Sequence, residues 1–303
     1  MQNQRNSGNQ LWTILKLLNW TTSYFKTHRI DSPRATAEIL LAHTLKVERI
    51  DLYLRFEQPL SRDELTGFKA LIKRRIDHEP VAYIVGHKEF WALDLIVSPD
   101  VLIPRPETEC LVETVLALDH RNGQQHSKKV LELGTGSGAI ILALASERAN
   151  DLFYASDISS QALALAKKNA RRLGWSDRIH FFAGDWFAPL KRGHQLYDMI
   201  VSNPPYIGTS TLNRLQPEIH LWEPRLALDG DRDGLRCLQH IIAQAHRFLV
   251  TGGYLVLEIG HDQKTLVHDV ITSCNQYDQL AFKRDYGGHD RVAIMRKKKV
   301  ART

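Results

Sequence analysis

Residues 130–148 read VLELGTGSGAIILALASER. Val130 to Leu133 is a short apolar strand. It runs into Gly134-Thr135-Gly136-Ser137-Gly138, and Ala139 to Ala145 continues as an apolar helix. Strand, glycine turn and helix in that order form one unit of a parallel sheet covered by helices. Glycines at such a turn let the backbone approach a ligand closely, in the crevice outside the strand ends. The dinucleotide fingerprint G-x-G-x-x-G must cradle a pyrophosphate. Here the spacing is G-x-G-x-G and nothing downstream completes the longer form, so the turn suits a ligand without phosphate, such as a nucleoside thioether or sulfonium.

The same alternation continues outward. Leu152 to Ser156, Ile179 to Phe182, Tyr197 to Ser202 and Tyr254 to Ile259 read as further strands, with a helix over Ala162 to Leu173. Gln279 to Lys283 and Arg291 to Met295 suit a closing antiparallel pair. Asp157 ends the second strand, 19 residues after Gly138. An acid there accepts hydrogen bonds from both ribose hydroxyls in nucleotide-binding sheets. After the third strand comes Gly184-Asp185-Trp186-Phe187, where an aromatic can lie against a purine and an acid can accept from its exocyclic amine. Core packing of Trp186 is the rival reading.

Asn203-Pro204-Pro205-Tyr206 follows the fourth strand, at the same sheet end as the glycine turn. Two prolines fix two φ angles and remove two donors, leaving a stiff turn whose carbonyls serve as acceptors. Asn203 adds a side-chain carbonyl, and Tyr206 offers a flat, electron-rich face. These parts suit a planar NH₂ group. An amide nitrogen is a poor nucleophile because its lone pair is delocalised, as the roughly 18–20 kcal/mol peptide rotational barrier shows. Hydrogen bonds from its N–H groups to Asn203 and a proline carbonyl orient the lone pair and favour the charge that grows on nitrogen. As a bare strand terminator the motif carries no chemistry; its pairing with the glycine turn is what gives it meaning.

Upstream of the hairpin-like segment Glu89 to Val97, the chain reads as short amphipathic helices. Leu11, Ile14, Leu15, Leu18 and Phe25 recur at helical spacing, Asp31-Ser32-Pro33 starts a helix, and Ser61 with Glu64 forms a capping box. The formal charge of +6 is uneven: residues 1–90 carry +4, residues 91–295 carry −3, and the tail from Arg296 carries +5. A nucleic-acid adenine methyltransferase would need a substantial basic recognition region, which the mildly basic helices do not supply. The tail alone reads as a frayed, solubilising end. Cys110, Cys237 and Cys274 are dispersed, and no HExxH or CxxC spacing exists, so no metal is expected and a reducing cytoplasm fits. No apolar run reaches the length of a membrane span, and Met1 to Gln10 lacks a signal-peptide core.

The segments DSPRATAEILLAH, RRIDHEPVAYIVGHKEFW, VSPDVLIPRPETE, VLELGTGSGAIILALASER, GDWF and IVSNPPYI are together similar to the protein-(glutamine-N5) methyltransferases. EPRLAL, GGYLVLEIG and RDYGGHDRV extend the match. NPPY is shared with adenine-N6 methyltransferases of DNA and RNA, whereas Ile103-Pro104-Arg105-Pro106-Glu107-Thr108-Glu109 resembles the branch acting on class-1 peptide chain release factors, rather than the sibling acting on a large-subunit ribosomal protein. The resemblance implies an α/β fold with a seven-stranded Rossmann-like class I methyltransferase sheet. It implies a helical substrate-recognition domain over 1–87, a β-hairpin linker over 88–105 and the catalytic domain over 106–303. It also implies S-adenosylmethionine as cofactor, contacted by Gly134, Thr135, Gly136, Ser137, Gly138, Asp157, Trp186 and Asn203. Asn203, Pro204, Pro205 and Tyr206 would grip the glutamine of a Gly-Gly-Gln loop. The expected partner is a release factor, met by a monomer with no direct nucleic-acid requirement.

Overall fold

The computed structural model describes residues 11–120, 127–191 and 196–299. Two units are built around separate apolar cores, one ending at Gly86 and the other beginning at His87. The first holds helices α1 (Ile14–Thr27), α2 (Pro33–Leu45), α3 (Arg49–Leu54), α4 (Arg62–Ile76) and α5 (Val81–Val85). α1 buries Ile14, Leu17, Leu18 and Phe25, one stripe at helical spacing. Leu11, expected on that stripe, precedes the N-cap Thr13 and is exposed. Ser61 and Glu64 exchange their capping bonds at the start of α4. At α2, Pro33 takes the first helical turn, but Ser32 has φ +46° and makes no side-chain cap. Glu38 of α2 is buried and accepts from Arg34, Arg49 and Tyr53 at 2.6–2.7 Å. Burial alone would raise its carboxyl pKa; these hydrogen bonds outweigh that and hold it low.

The second unit opens with the hairpin β1 (His87–Phe90) and β2 (Leu93–Ile96), then a 3₁₀ turn at Pro106–Thr108 and α6 (Glu109–His120). Next come β3 (Lys129–Leu133), α7 (Ala139–Glu147), β4 (Leu152–Asp157), α8 (Ser160–Arg172), β5 (Ile179–Ala183) and β6 (Tyr197–Ser202). Two four-residue helices, α9 (Thr209–Leu212) and α10 (Pro217–His220), lead to a 3₁₀ turn at Arg225–Ala227. The chain closes with α11 (Arg236–Ala245), β7 (Leu249–Glu258), α12 (Lys264–Cys274), β8 (Tyr277–Arg284) and β9 (Asp290–Lys297). The hairpin belongs to this unit: Asn169 of α8 accepts from the Ile96 amide at 2.9 Å and donates to its carbonyl at 3.0 Å.

Seven strands form one sheet in the order β5-β4-β3-β6-β7-β9-β8, parallel from β5 to β7 and antiparallel at β9 and β8. Alternation along each strand divides its side chains between two cores. Val130, Met199, Val201 and Val256 face one, with α6 and α7 packed on it. Leu131, Leu133, Ile200, Leu255 and Leu257 face the other, under α11 and α12. α7 is buried from Ala139 to Ala145, which explains an apolar run without a polar face. The sequence reading put the basic C-terminal end outside the fold. Arg296 and Lys297 belong instead to β9, with Arg296 donating to the Gly252 carbonyl at 3.1 Å and Lys297 to that of Leu249 at 2.8 Å. Their long stems cover the edge of the sheet while their amines satisfy strand carbonyls. Residues 300–303 of that tail lie outside the described residues.

Candidate active site

The strand order reverses beside β3, so a crevice opens at the carboxyl ends of β3 and β6. Register fills it. Leu133 pairs with Ser156 on one side and Ser202 on the other; Ser156 pairs with Phe182, and Ser202 with Leu257. One residue further along each strand, Ala183, Asp157, Gly134, Asn203 and Glu258 follow one another across the sheet end. The Ser202 hydroxyl donates to the Leu133 carbonyl at 2.7 Å, tying the two turns at their roots.

A cavity of about 780 Å³ lies over this row. That size is within the range of small-molecule pockets. Gly134, Thr135, Gly136, Ser137, Asp157, Trp186, Asn203 and Pro205 line it, so most of the residues singled out in the sequence converge. Three do not line it. Gly138, at φ +86°, caps α7; a Cβ there would meet Leu142 at 3.0 Å and the Ala166 methyl at 3.3 Å, so this glycine lets α7 and α8 approach. Pro204 is buried behind the wall. Tyr206 packs on the second core and donates its hydroxyl to Glu258 at 3.1 Å, so it anchors the turn from behind instead of offering a stacking face to the cavity.

Asp157 accepts from the Gly136 amide at 2.8 Å and the Ser159 amide at 2.9 Å, so the acid also shapes the glycine turn. Burial raises its pKa against the pull of those amides. The Trp186 ring edge lies 3.8 Å from where a Gly134 Cβ would be and also packs on the second core. One side chain thus both packs on the core and forms part of the cavity wall.

Several residues went unnoticed in the sequence. Glu132 lines the cavity at 1% exposure; burial pushes its carboxyl up to about 8, the Asp157 charge adds to this, and hydrogen bonds from Thr135 and the Ile141 backbone oppose it. The Thr135 hydroxyl donates to it at 2.6 Å. Asn169 donates to the Ser137 carbonyl at 2.9 Å, bracing the turn from α8. Arg105 lines the cavity and pairs with buried Glu223, which also accepts from the Ile103 amide at 3.3 Å. The Asn203 amide donates to the Thr108 hydroxyl at 3.3 Å. Glu258 is 1% exposed, and burial pushes its carboxyl up to about 7. Gln263 donates to the Tyr206 carbonyl at 2.9 Å, and Gly234 leaves room for it: a Cβ there would fall 2.3 Å from that oxygen. For Arg105, Thr108, Glu132, Glu223 and Glu258 the signal in the sequence was their place within longer matching segments such as IPRPETE, while Asn169, Gly234 and Gln263 lie outside them. Apart from Glu132 with Thr135, these hydrogen-bond partners are 32 to 120 positions away.

Among the described residues no cluster of histidine, cysteine or carboxylate side chains has the arrangement of a metal site. The cavity instead presents the buried Glu132 carboxyl, the half-buried Asp157 carboxylate, the Trp186 ring and the corner of Asn203 and Pro205.

Residues 16–86 match the family description PrmC N-terminal domain, and residues 124–299 match a methyltransferase domain. The chain is 40% identical to the release factor glutamine methyltransferase of Geobacter sulfurreducens, over 93% of this chain and 96% of the relative. It is 42% identical to that of Escherichia coli, over 88% and 93%. Among solved structures, the hMettl16 catalytic domain in complex with MAT2A 3′UTR hairpin 6 aligns with a TM-score of 0.55 at 16% identity, covering 70% of this chain and 78% of that one. That likeness concerns the fold alone. With the paired domain matches and these near-complete alignments, the chain belongs to the release factor glutamine methyltransferase family.

Proposed function

We propose that the chain transfers a methyl group from S-adenosylmethionine to the side-chain amide nitrogen of the glutamine in the Gly-Gly-Gln loop of class-1 peptide chain release factors. The observation that carries this reading is the adjacency of Gly134 and Asn203 at one sheet end, around one cavity. The residues present fit the cofactor. Asp157 would hold the ribose, Trp186 would lie near the adenine, and Glu132 would face the cationic end. When bound, the sulfonium supplies an electrophilic methyl group.

The chain's own residues then handle the acceptor. Asn203 Oδ1 and a proline-turn carbonyl accept from the substrate NH₂, holding the nitrogen lone pair in line. The substrate nitrogen becomes acidic only as its new bond to carbon forms, so the released proton passes to water without a strong base. Pro204 and Pro205 keep the corner rigid, so little reorganisation accompanies the reaction. The helical unit up to Gly86 is assigned to recognition of the protein substrate. The −3 balance of residues 91–295 supports action without nucleic acid. A translation factor as substrate supports a cytoplasmic site of action; among the described residues no helix is long and apolar enough to cross a membrane.

The test is incubation of purified enzyme and release factor with isotopically labelled cofactor, followed by peptide mass spectrometry. One added methyl on the tripeptide's glutamine is expected. Label on a large-subunit ribosomal protein or on nucleic acid, with none on the factor, would overturn the assignment.

A further inference from the structure

Pro204 and Pro205 have no N–H, so the acceptor turn cannot brace itself through amides at its centre. It is held from outside. Its root is fixed where the Ser202 hydroxyl meets the Leu133 carbonyl, and the Tyr206 hydroxyl reaches Glu258. The end of the turn is held by Gln263, which is only 6% exposed. Its Nε2 donates to the Tyr206 carbonyl at 2.9 Å and to the Gly234 carbonyl at 3.3 Å. Its Oε1 accepts from the Gly260 amide at 2.9 Å. A backbone carbonyl only accepts and a backbone amide only donates, so these partners fix the direction of the carboxamide.

The three groups belong to separate loops at the cavity end of the sheet. Tyr206 ends the proline corner after β6, Gly234 precedes α11, and Gly260 follows β7. Just beyond Gly234, Arg236, Cys237 and His240 of α11 line the same cavity as Asn203 and Pro205. Gly234 has φ +74°, and a Cβ there would fall 2.3 Å from the Tyr206 oxygen and 2.7 Å from Gln263 Nε2. Glycine lets the two loops close on the carboxamide. Gln263 is itself anchored. Its amide donates to the Gly260 carbonyl at 3.0 Å, and its carbonyl accepts from the Val267 amide at 2.9 Å as α12 begins. Val267 and Ile271 of α12 are buried in the second core.

We propose that Gln263 is a positioning residue for methyl transfer, its carboxamide clasping the acceptor corner to the loop that carries the α11 wall of the cavity. The proposal rests on the role given to Asn203 above and extends it to the group that holds its turn in place. Without the clasp the corner and α11 are free to move apart, and the acceptor nitrogen loses its alignment with the methyl carbon. The glycine turn is braced separately, by Asp157 and Asn169, so the cofactor side of the cavity is spared.

The experiment measures single-turnover transfer at saturating cofactor and release factor, and cofactor affinity by calorimetry, in Gln263→Met, Gln263→Glu and Asn203→Ala. Gln263→Met keeps the length of the side chain and none of its hydrogen bonds. It should lower the transfer rate by about 10–100-fold, the scale of losing an orienting partner of a reacting-site group. Cofactor affinity should not move. In Gln263→Glu an ionised carboxylate faces two carbonyls with nothing to donate, whereas the protonated acid regains one donor. Burial favours that protonated form. The rate of Gln263→Glu relative to the wild type should therefore recover as pH falls, and that of Gln263→Met should not. Glu132 and Glu258 titrate in every one of these proteins, so the ratio isolates the introduced carboxyl. A wild-type rate in Gln263→Met, a loss of rate matched by an equal loss of cofactor affinity, or a ratio for Gln263→Glu that ignores pH overturns the proposal. If one variant fails to fold by circular dichroism, the other decides: methionine by its rate against its cofactor affinity, glutamate by its recovery in acid. A fully active Asn203→Ala would instead remove the parent assignment, independently of Gln263.

Discussion

At the residue scale, the site depends on a few polar atoms whose direction is set by buried neighbours. Asn203→Ala removes one preorganised acceptor, and the expected cost is about 2–4 kcal/mol in the transfer step with cofactor binding retained. Single-turnover methyl transfer beside calorimetric binding checks it; an unchanged rate would refute the role. Glu132 supplies a pH signature. Its carboxyl sits at about 8 in the fold against an ordinary 4.5, so the folded state holds the proton more tightly than the unfolded chain does. The linked stability is full below the ordinary pKa and is lost as pH rises from 4.5 through about 8. Cofactor binding has the opposite sense: the ionised carboxylate attracts a cation, so affinity should strengthen as pH rises through the same upper value, with proton release. Glu132→Gln should flatten both profiles. Thermal melts and calorimetry in two buffers of different ionisation heat measure them.

At the element scale, turns and caps are where local chemistry and packing meet. Ser61→Ala deletes the cap of α4 and should cost about 1 kcal/mol in urea denaturation. Gly138→Ala combines a left-handed backbone with contact against Leu142 and Ala166. It should cost about 1–3 kcal/mol. It should also lower cofactor affinity, since α7 and the turn before it would shift together. A variant as stable as the wild type would show that α8 yields readily. Much at this scale was legible. The β3, β4, β5 and β6 strands, the two helices between them, the closing antiparallel pair and the Ser61 cap all follow from period, turn residues and capping spacing. The Ser32 cap and the exposed Leu11 did not follow. Periodicity shows which positions share a face, whereas backbone angles at a helix start depend on what the preceding segment packs against.

For the whole molecule, the sheet acts as a ruler that brings distant turns to one edge. A ligand bound only by the folded state stabilises it by mass action. S-adenosylmethionine at about a hundredfold excess over its dissociation constant should therefore add about 2.7 kcal/mol. The rise in melting temperature should vanish in a variant whose glycine turn is broken. Chelation should leave transfer unchanged, in keeping with the donor set of the cavity; a loss of activity restored by a divalent ion would contradict it.

What the sequence determined alone was local and periodic: an α/β alternation, a tight glycine turn, a strand-ending acid and a stiff proline corner. Those signals arise from backbone sterics and from the spacing of apolar side chains, both of which act over a few residues. Which of the marked residues reach the cavity was decided by tertiary structure. Register carried Gly134, Asp157 and Asn203 to one row, while packing turned Tyr206 and Gly138 into supports. It also brought in Thr108, Asn169 and Glu258, whose partners are chosen by the fold. A buried polar group must find its hydrogen bond wherever the chain happens to return, and no short-range pattern records that place.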